Sequence, residues 1–112
     1  MSRITTHVLD ANKGKPAQLV PAVLFKRVAL EWFKVAKGFT NNKGKIPNLI
    51  ANDDALPFGT YKRRFETKSY FDTQKIKSFY PRIEIIFEIN SPDHYHIPLL
   101  LSSFGYSTYR GS

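Results

Sequence analysis

Side chains take alternate faces over His94 to Leu101. In an extended chain His94, His96 and Pro98 point one way, and Tyr95, Ile97, Leu99 and Leu101 the other. The Ile/Leu face reads as core, and the histidine face looks outward, toward solvent or a partner chain. Gly105 then breaks the run as at a hairpin, with Tyr106 to Arg110 as the returning strand that brings Tyr109 to Ser112 back near the histidines. Ile4 to Asp10 is a second strand, with Thr5, His7 and Leu9 on one face and Ile4, Thr6 and Val8 on the other. Ile83, Ile85, Phe87 and Ile89 share one face of a third over Arg82 to Ile89. Pro81 marks its start and Asn90-Ser91-Pro92-Asp93 its end.

Between these the pattern is less regular. Thr60 to Lys68 alternates Tyr61, Arg63 and Phe65 against Lys62, Arg64 and Glu66, a strand with one charged face. Ser69 is placed to cap a short helical turn over Tyr70 to Lys75. Ile46 to Ile50 reads as a short edge strand, since Pro47 is tolerable only at an edge, and Asn52 to Gly59 as loop. Turns fall at Asn12 to Pro16 and at Thr40 to Lys45, where Gly44 is the left-handed residue. Residues 21 to 39 are ambiguous. Leu24, Val28, Trp32 and Val35 make a helical stripe, and two strands fit the same residues less well. Strand signals separated by turn clusters point to an all-β sandwich. No internal repeat or linker divides the 112 residues, so one domain over 1–112 is expected.

Cysteine is absent, which excludes disulfides and thiolate metal sites. No apolar run is long enough to span a membrane, and Met1 to Thr6 lack the core of a secretory signal. A soluble cytoplasmic protein is the expectation. The net charge is +8, concentrated in the first 48 residues, which hold nine basic and two acidic side chains. That imbalance favours an anionic partner, either nucleic acid or a small anionic substrate.

Three chemistries suit these residues. His7, His94 and His96 could supply three nitrogens to a zinc ion. A basic, aromatic-rich sheet could stack bases, although Phe25, Tyr61, Phe65 and Phe87 fall on faces that look buried and no binding motif is legible. Metal-free hydrolysis needs a neutral histidine to deprotonate water, a cation to stabilise the developing anion and a hydroxyl to orient the reactants. The chain has all three residue types, and spacing alone does not choose among these chemistries.

Ile4-Thr5-Thr6-His7-Val8-Leu9-Asp10 with Gly14-Lys15-Pro16-Ala17, and His94 to Ser102 with Phe104 to Ser112, resemble the two signatures of the 5-hydroxyisourate hydrolases of the transthyretin-like family. Thr60-Tyr61, Tyr70-Phe71 and Phe79-Tyr80-Pro81 fall in order between them. The terminal Tyr109-Arg110-Gly111-Ser112 is specific to the hydrolases, since hormone-carrying transthyretins lack it. The resemblance implies two four-stranded sheets face to face, with one short helix after the fifth strand, and residues 21 to 39 as two strands. It implies a homotetramer, a dimer of dimers, with active sites in the channel where the dimers meet. It implies His7, His96 and Ser112 as catalytic, and Tyr109, Arg110 and Gly111 as substrate-binding. It also implies 5-hydroxyisourate as substrate, opened in purine catabolism without metal or cofactor, and His94 as a surface residue. Lys45 occupies the slot of the family's catalytic arginine. Lysine keeps the charge and loses the planar fork, which Arg63, Arg64 or Arg82 would have to supply from another strand. A non-catalytic small-ligand carrier is the alternative.

Overall fold

Where one face of a strand is buried, its side-chain alternation fixes which way it faces, and the computed structural model follows that rule closely; it describes residues 4–47 and 56–111. The strands are β1 (Ile4–Asp10), β2 (Lys15–Pro16), β3 (Pro21–Val28), β4 (Glu31–Phe39), β5 (Gly59–Phe65), β6 (Ile83–Ile89), β7 (Tyr95–Leu101) and β8 (Tyr106–Thr108). One helix, α1 (Thr67–Asp72), follows β5. They form two four-stranded sheets, ordered β2-β1-β7-β8 and β4-β3-β5-β6. Pairing is antiparallel except between β1 and β7, which run parallel.

The sheets enclose two apolar clusters. Val8, Leu99, Leu101, Phe65, Phe71 and Ile83 belong to one; Ile4, Ile97, Tyr95, Tyr61, Leu24 and Ile89 belong to the other. β1 and β7 thus bury one face each and leave the faces bearing Thr5, His7 and His96 outside the sandwich. Tyr70 of α1 donates to Asp10 Oδ2 at 2.6 Å, tying the helix to the end of β1. Burial and that carboxylate push the Tyr70 phenol up to about 12.

Residues 21 to 39 are not the helix that their apolar spacing suggests. They form the β3–β4 hairpin, as the resemblance implies. Ala29 at the reversal has φ +57°, where a right-handed helix cannot continue. Pairing of Leu24 with Ala36 and of Phe25 with Lys34 leaves Val35 as an extra residue, and this bulge scrambles the alternation of β4. β4 is also an edge strand, exposed along most of its length, so no core imposes a pattern on it. Phe25, expected on a buried face, lies half-buried on the outer face of its sheet, with Lys62 Nζ 5.0 Å from its ring centroid. The helix begins two residues before the expected Ser69 cap, with Glu66 preceding it and no side-chain cap bond. Ile46 and Pro47 are not in a strand; the rest of the expected 46–50 strand, and 52–55 of the expected loop, lie outside the described residues.

Arg63 is the exception to an apolar core. It takes the inward position on β5 between Tyr61 of one cluster and Phe65 of the other, and is 1 % exposed. Its Nε and Nη2 have no hydrogen-bond partner among the described residues. Burial lowers the guanidinium pKa to about 10.

Candidate active site

Parallel pairing brings the two histidine-bearing strands into step. Thr5 lies opposite His96 and His7 opposite Pro98, so the side chains stand side by side on the outer face. The Thr5 hydroxyl lies 2.8 Å from His96 Nδ1 and 2.9 Å from His94 Nε2. The two imidazoles stack with centroids 6.3 Å apart and planes 21° apart. His94, expected at the surface, is exposed, but it lines the same recess as His96.

The third side of the recess is the turn after β4. Asn41 Oδ1 accepts the Lys43 and Lys45 amides at 2.9 and 3.0 Å, and the Asn41 amide donates to the Lys45 carbonyl at 2.7 Å. One asparagine therefore holds both ends of the Lys45 loop. Gly44 has φ +74°, as its sequence position predicts, and its carbonyl accepts the Val8 amide at 2.8 Å. A Cβ there would lie 2.3 Å from the Val8 carbonyl oxygen, so only glycine lets this turn dock on β1. Thr5, Asn41, Lys45, Pro47, His94 and His96 line a cavity of about 440 Å³. Burial, followed by the charges of His94, His7 and Lys45, holds the His96 pKa below the ordinary histidine value. A neutral imidazole beside an ammonium group is a base-plus-cation arrangement suited to deprotonating water and stabilising an oxyanion.

The tail packs against the His96 ring. The Gly111 amide donates to the His96 carbonyl at 2.8 Å, and a Cβ on Gly111 would lie only 2.6 Å from His96 Cδ2. Glycine is needed here for close approach of backbone to ring. Ser112 lies outside the described residues. Tyr109 and Arg110 do not join the histidines of their own chain. The Arg110 guanidinium sits 4.4 Å from the centroid of the Tyr95 ring, and both residues line a separate cavity of about 310 Å³ with Ile85, Phe87 and Ile97. Tyr95 faces inward, so Arg110 is turned to the opposite side of β7 from His96.

None of Arg63, Arg64 and Arg82 supplies the fork that Lys45 lacks. Arg63 is enclosed between the sheets, Arg64 pairs with Glu66 at 2.9 Å, and Arg82 lies 3.7 Å from Glu84. All three flank or belong to the other sheet. Among the described residues no three His, Asp or Glu side chains group so as to hold a metal ion, so His7, His94 and His96 do not form the ligand set considered from sequence. Thr5 and Asn41 were not singled out by sequence reasoning. The Asn-x-x-Gly-Lys spacing was the available signal for Asn41; nothing local marks Thr5, whose role comes from a pairing 91 residues away.

The model of the HIUase/Transthyretin family matches residues 4–111, nearly the whole chain. The chain belongs to this family. As a member of the HIUase/Transthyretin family it resembles both of the branches in that title. It is 42 % identical over 110 residues to a 5-hydroxyisourate hydrolase of Salmonella dublin, covering 97 % of this chain and 80 % of that protein. It is 40 % identical over 114 residues to the mouse 5-hydroxyisourate hydrolase, covering 99 % and 96 %. Among solved structures, Sparus aurata transthyretin superposes with a TM-score of 0.93 at 33 % identity, covering 99 % of this chain and 97 % of that one. Klebsiella pneumoniae 5-hydroxyisourate hydrolase gives 0.87 at 37 %, covering 100 % and 94 %. Backbone shape therefore does not separate hydrolase from carrier, and the side chains of the site must.

Proposed function

We propose that this chain hydrolyses 5-hydroxyisourate to 2-oxo-4-hydroxy-4-carboxy-5-ureidoimidazoline in urate degradation. The observation that carries the reading is one recess holding His96, its pKa depressed, with Lys45 at one side and Gly111 pressed against the ring at another. A carrier could use the cation to hold an anionic ligand, but binding alone does not call for a proton acceptor beside it. The curated relatives at about 40 % identity bear the hydrolase name, which points the same way.

In the mechanism, His96 or His7 takes a proton from water, and the resulting hydroxide attacks a carbonyl of the six-membered ring. Lys45 stabilises the negative charge that develops on the carbonyl oxygen. The tetrahedral intermediate collapses with cleavage of the ring C–N bond. The ring nitrogen leaves with the proton returned by the imidazole, and the carbonyl carbon becomes a carboxylate. No step calls on a metal or organic cofactor. Gly111 packs against the His96 ring, and the resemblance assigns Ser112 to orienting the substrate ring. The tail's Arg110 grips Tyr95 and so anchors the segment that carries Gly111; any direct contact of Tyr109 or Arg110 with substrate would have to come from another copy of the chain.

The histidine face lies on the outside of the sandwich, so one chain forms only part of an enclosure. Assembly into a homotetramer, a dimer of dimers, would close it, with the channel between dimers as the substrate chamber and the whole chain acting as one domain. Among the described residues no helix is long and apolar enough to cross a membrane, and a cytoplasmic enzyme fits this reading. The 0.93 superposition on a transthyretin favours a second reading, a carrier that binds a small aromatic ligand without turning it over. A uricase-coupled absorbance assay separates the two. The hydrolase reading requires the intermediate to disappear faster in proportion to added protein, and decay at the spontaneous rate favours the carrier.

A further inference from the structure

The Thr5 hydroxyl carries one proton and lies within hydrogen-bond distance of two imidazole nitrogens, His96 Nδ1 and His94 Nε2. It can donate to only one of them. The other nitrogen must then carry a hydrogen and donate to the oxygen. Two arrangements satisfy all three groups. In the first, His96 Nδ1–H donates to Thr5, Thr5 donates to His94 Nε2, and His96 Nε2 is left with its lone pair. In the second every bond reverses, His94 Nε2–H donates, and His96 carries its hydrogen on Nε2. Only the first leaves Nε2 able to accept a proton.

We infer that Thr5 and His94 are positioning residues that set the tautomer of His96, so that His96 is a base at Nε2 only while His94 is neutral. A cationic His94 has hydrogens on both nitrogens and can only donate to Thr5. Of these two nitrogens only His96 Nδ1 can then accept the hydroxyl hydrogen, so the bond that keeps this hydrogen paired gives the second arrangement. This rests on the hydrolase reading for its consequence in turnover, but not for the proton arrangement itself. The other groups that bear on His96 are His7 of β1, Lys45 of the turn after β4, and the uncharged Gly111 backbone of the tail. Within the chain, Arg110 faces the other side of β7, and Asp93 accepts a hydrogen bond from Ser91 at 3.0 Å. Among the described residues His94 is therefore the only titratable group that reaches His96 through a hydroxyl whose proton must choose.

Nitrogen NMR of the ¹⁵N-histidine-labelled protein tests the arrangement without any turnover. At pH 8 the expected spectrum of the wild-type protein shows His96 with its hydrogen on Nδ1. In Thr5→Val the hydrogen should move to Nε2, the form free imidazole side chains prefer, and Thr5→Ser should restore it to Nδ1. In kinetics, Thr5→Val should lower kcat by about 10- to 100-fold, part of what a general base contributes, with KM little changed; Thr5→Ser should recover it. His94→Phe keeps a stacking ring and removes the titrating partner, so the acid limb of its kcat/KM profile should lose one proton of slope. Nε2–H on His96 in the wild-type protein at pH 8 would overturn the inference, as would unchanged kcat in folded Thr5→Val. If Thr5→Val does not fold, the wild-type spectrum and the His94→Phe slope decide the matter. Absence of turnover in the wild-type protein would sink the hydrolase reading and leave the NMR result to stand or fall alone.

Discussion

Replacing Gly111 by alanine adds a single methyl group at the point where the tail meets the His96 imidazole. Its Cβ would lie 2.6 Å from His96 Cδ2, 3.3 Å from Cγ and 3.4 Å from Cβ. Carbon atoms rest at about 3.5–4.0 Å from one another, so roughly 1 Å must be recovered. Two routes exist. The tail lifts and loses the 2.8 Å bond from the Gly111 amide to the His96 carbonyl, or the ring turns and loses the 2.8 Å contact with Thr5. The lost bond costs about 0.5–1.5 kcal/mol at a chain end, too little and too local to move global unfolding far. A displacement of about 1 Å at a reacting group, by contrast, can cost about 10²-fold in rate. Gly111→Ala is therefore expected to lower kcat/KM about 100-fold in the uricase-coupled assay, while its urea midpoint stays near that of the wild-type protein. Gly105→Ala is the matched control. A Cβ there meets only Ser102 Oγ at 3.6 Å, so near-native activity is expected. Native kcat/KM in Gly111→Ala would show that the tail does not shape the site.

Lys45→Arg should retain or raise turnover, because it restores a two-pronged donor. Lys45→Met should cost about 10²- to 10³-fold, the usual effect of losing an oxyanion donor, and both are read as kcat at saturating substrate. Arg63→Met should stabilise the fold by about 1–3 kcal/mol in urea denaturation, since it removes buried donors that have no partner among the described residues and keeps the side-chain bulk; a lower midpoint would mean the guanidinium is paired after all. Burial and neighbouring charge lower the His96 pKa, so the acid limb of kcat/KM should fall below the ordinary histidine value of about 6.5. The same shift contributes stability that is fully present above about pH 6.5 and is lost as pH falls, because the unfolded chain then binds the proton more readily. Urea midpoints from pH 5 to 8 in the wild-type protein and His96→Asn check it, the variant showing the smaller slope.

Much of the sandwich was legible because its strands bury one face. Ile4–Asp10 alternates in burial without a break, and Tyr95–Leu101 does so except at the buried Pro98, so their facing follows. The β3–β4 hairpin was not legible by pattern, because a bulge at Val35 and an open edge remove the alternation that burial imposes elsewhere. Arg63 shares the face of Tyr61 and Phe65, as the alternation places it, and so lies inside despite its charge. At the site, His7 and His96 could be placed on outward faces from the pattern, but their diagonal placement on neighbouring strands depends on a parallel pairing that no local signal encodes. The same pairing recruits Thr5 and gives His94 a partner. A hairpin return was expected to bring the whole tail to the histidines. Backbone pairing does return Gly111 to His96, yet Arg110 points to the opposite side of the sheet, as alternation along an extended tail requires.

The hydrolase account turns most directly on whether His96 does chemistry or merely lines a binding recess. The decisive measurement is the rate of 5-hydroxyisourate disappearance with equal concentrations of the wild-type protein and His96→Asn, both folded and both shown to bind the compound. The account predicts protein-dependent acceleration by the wild-type protein and a loss of at least about 10²-fold in the variant, the lower range of what a general base contributes. Equal rates in the two proteins would contradict it.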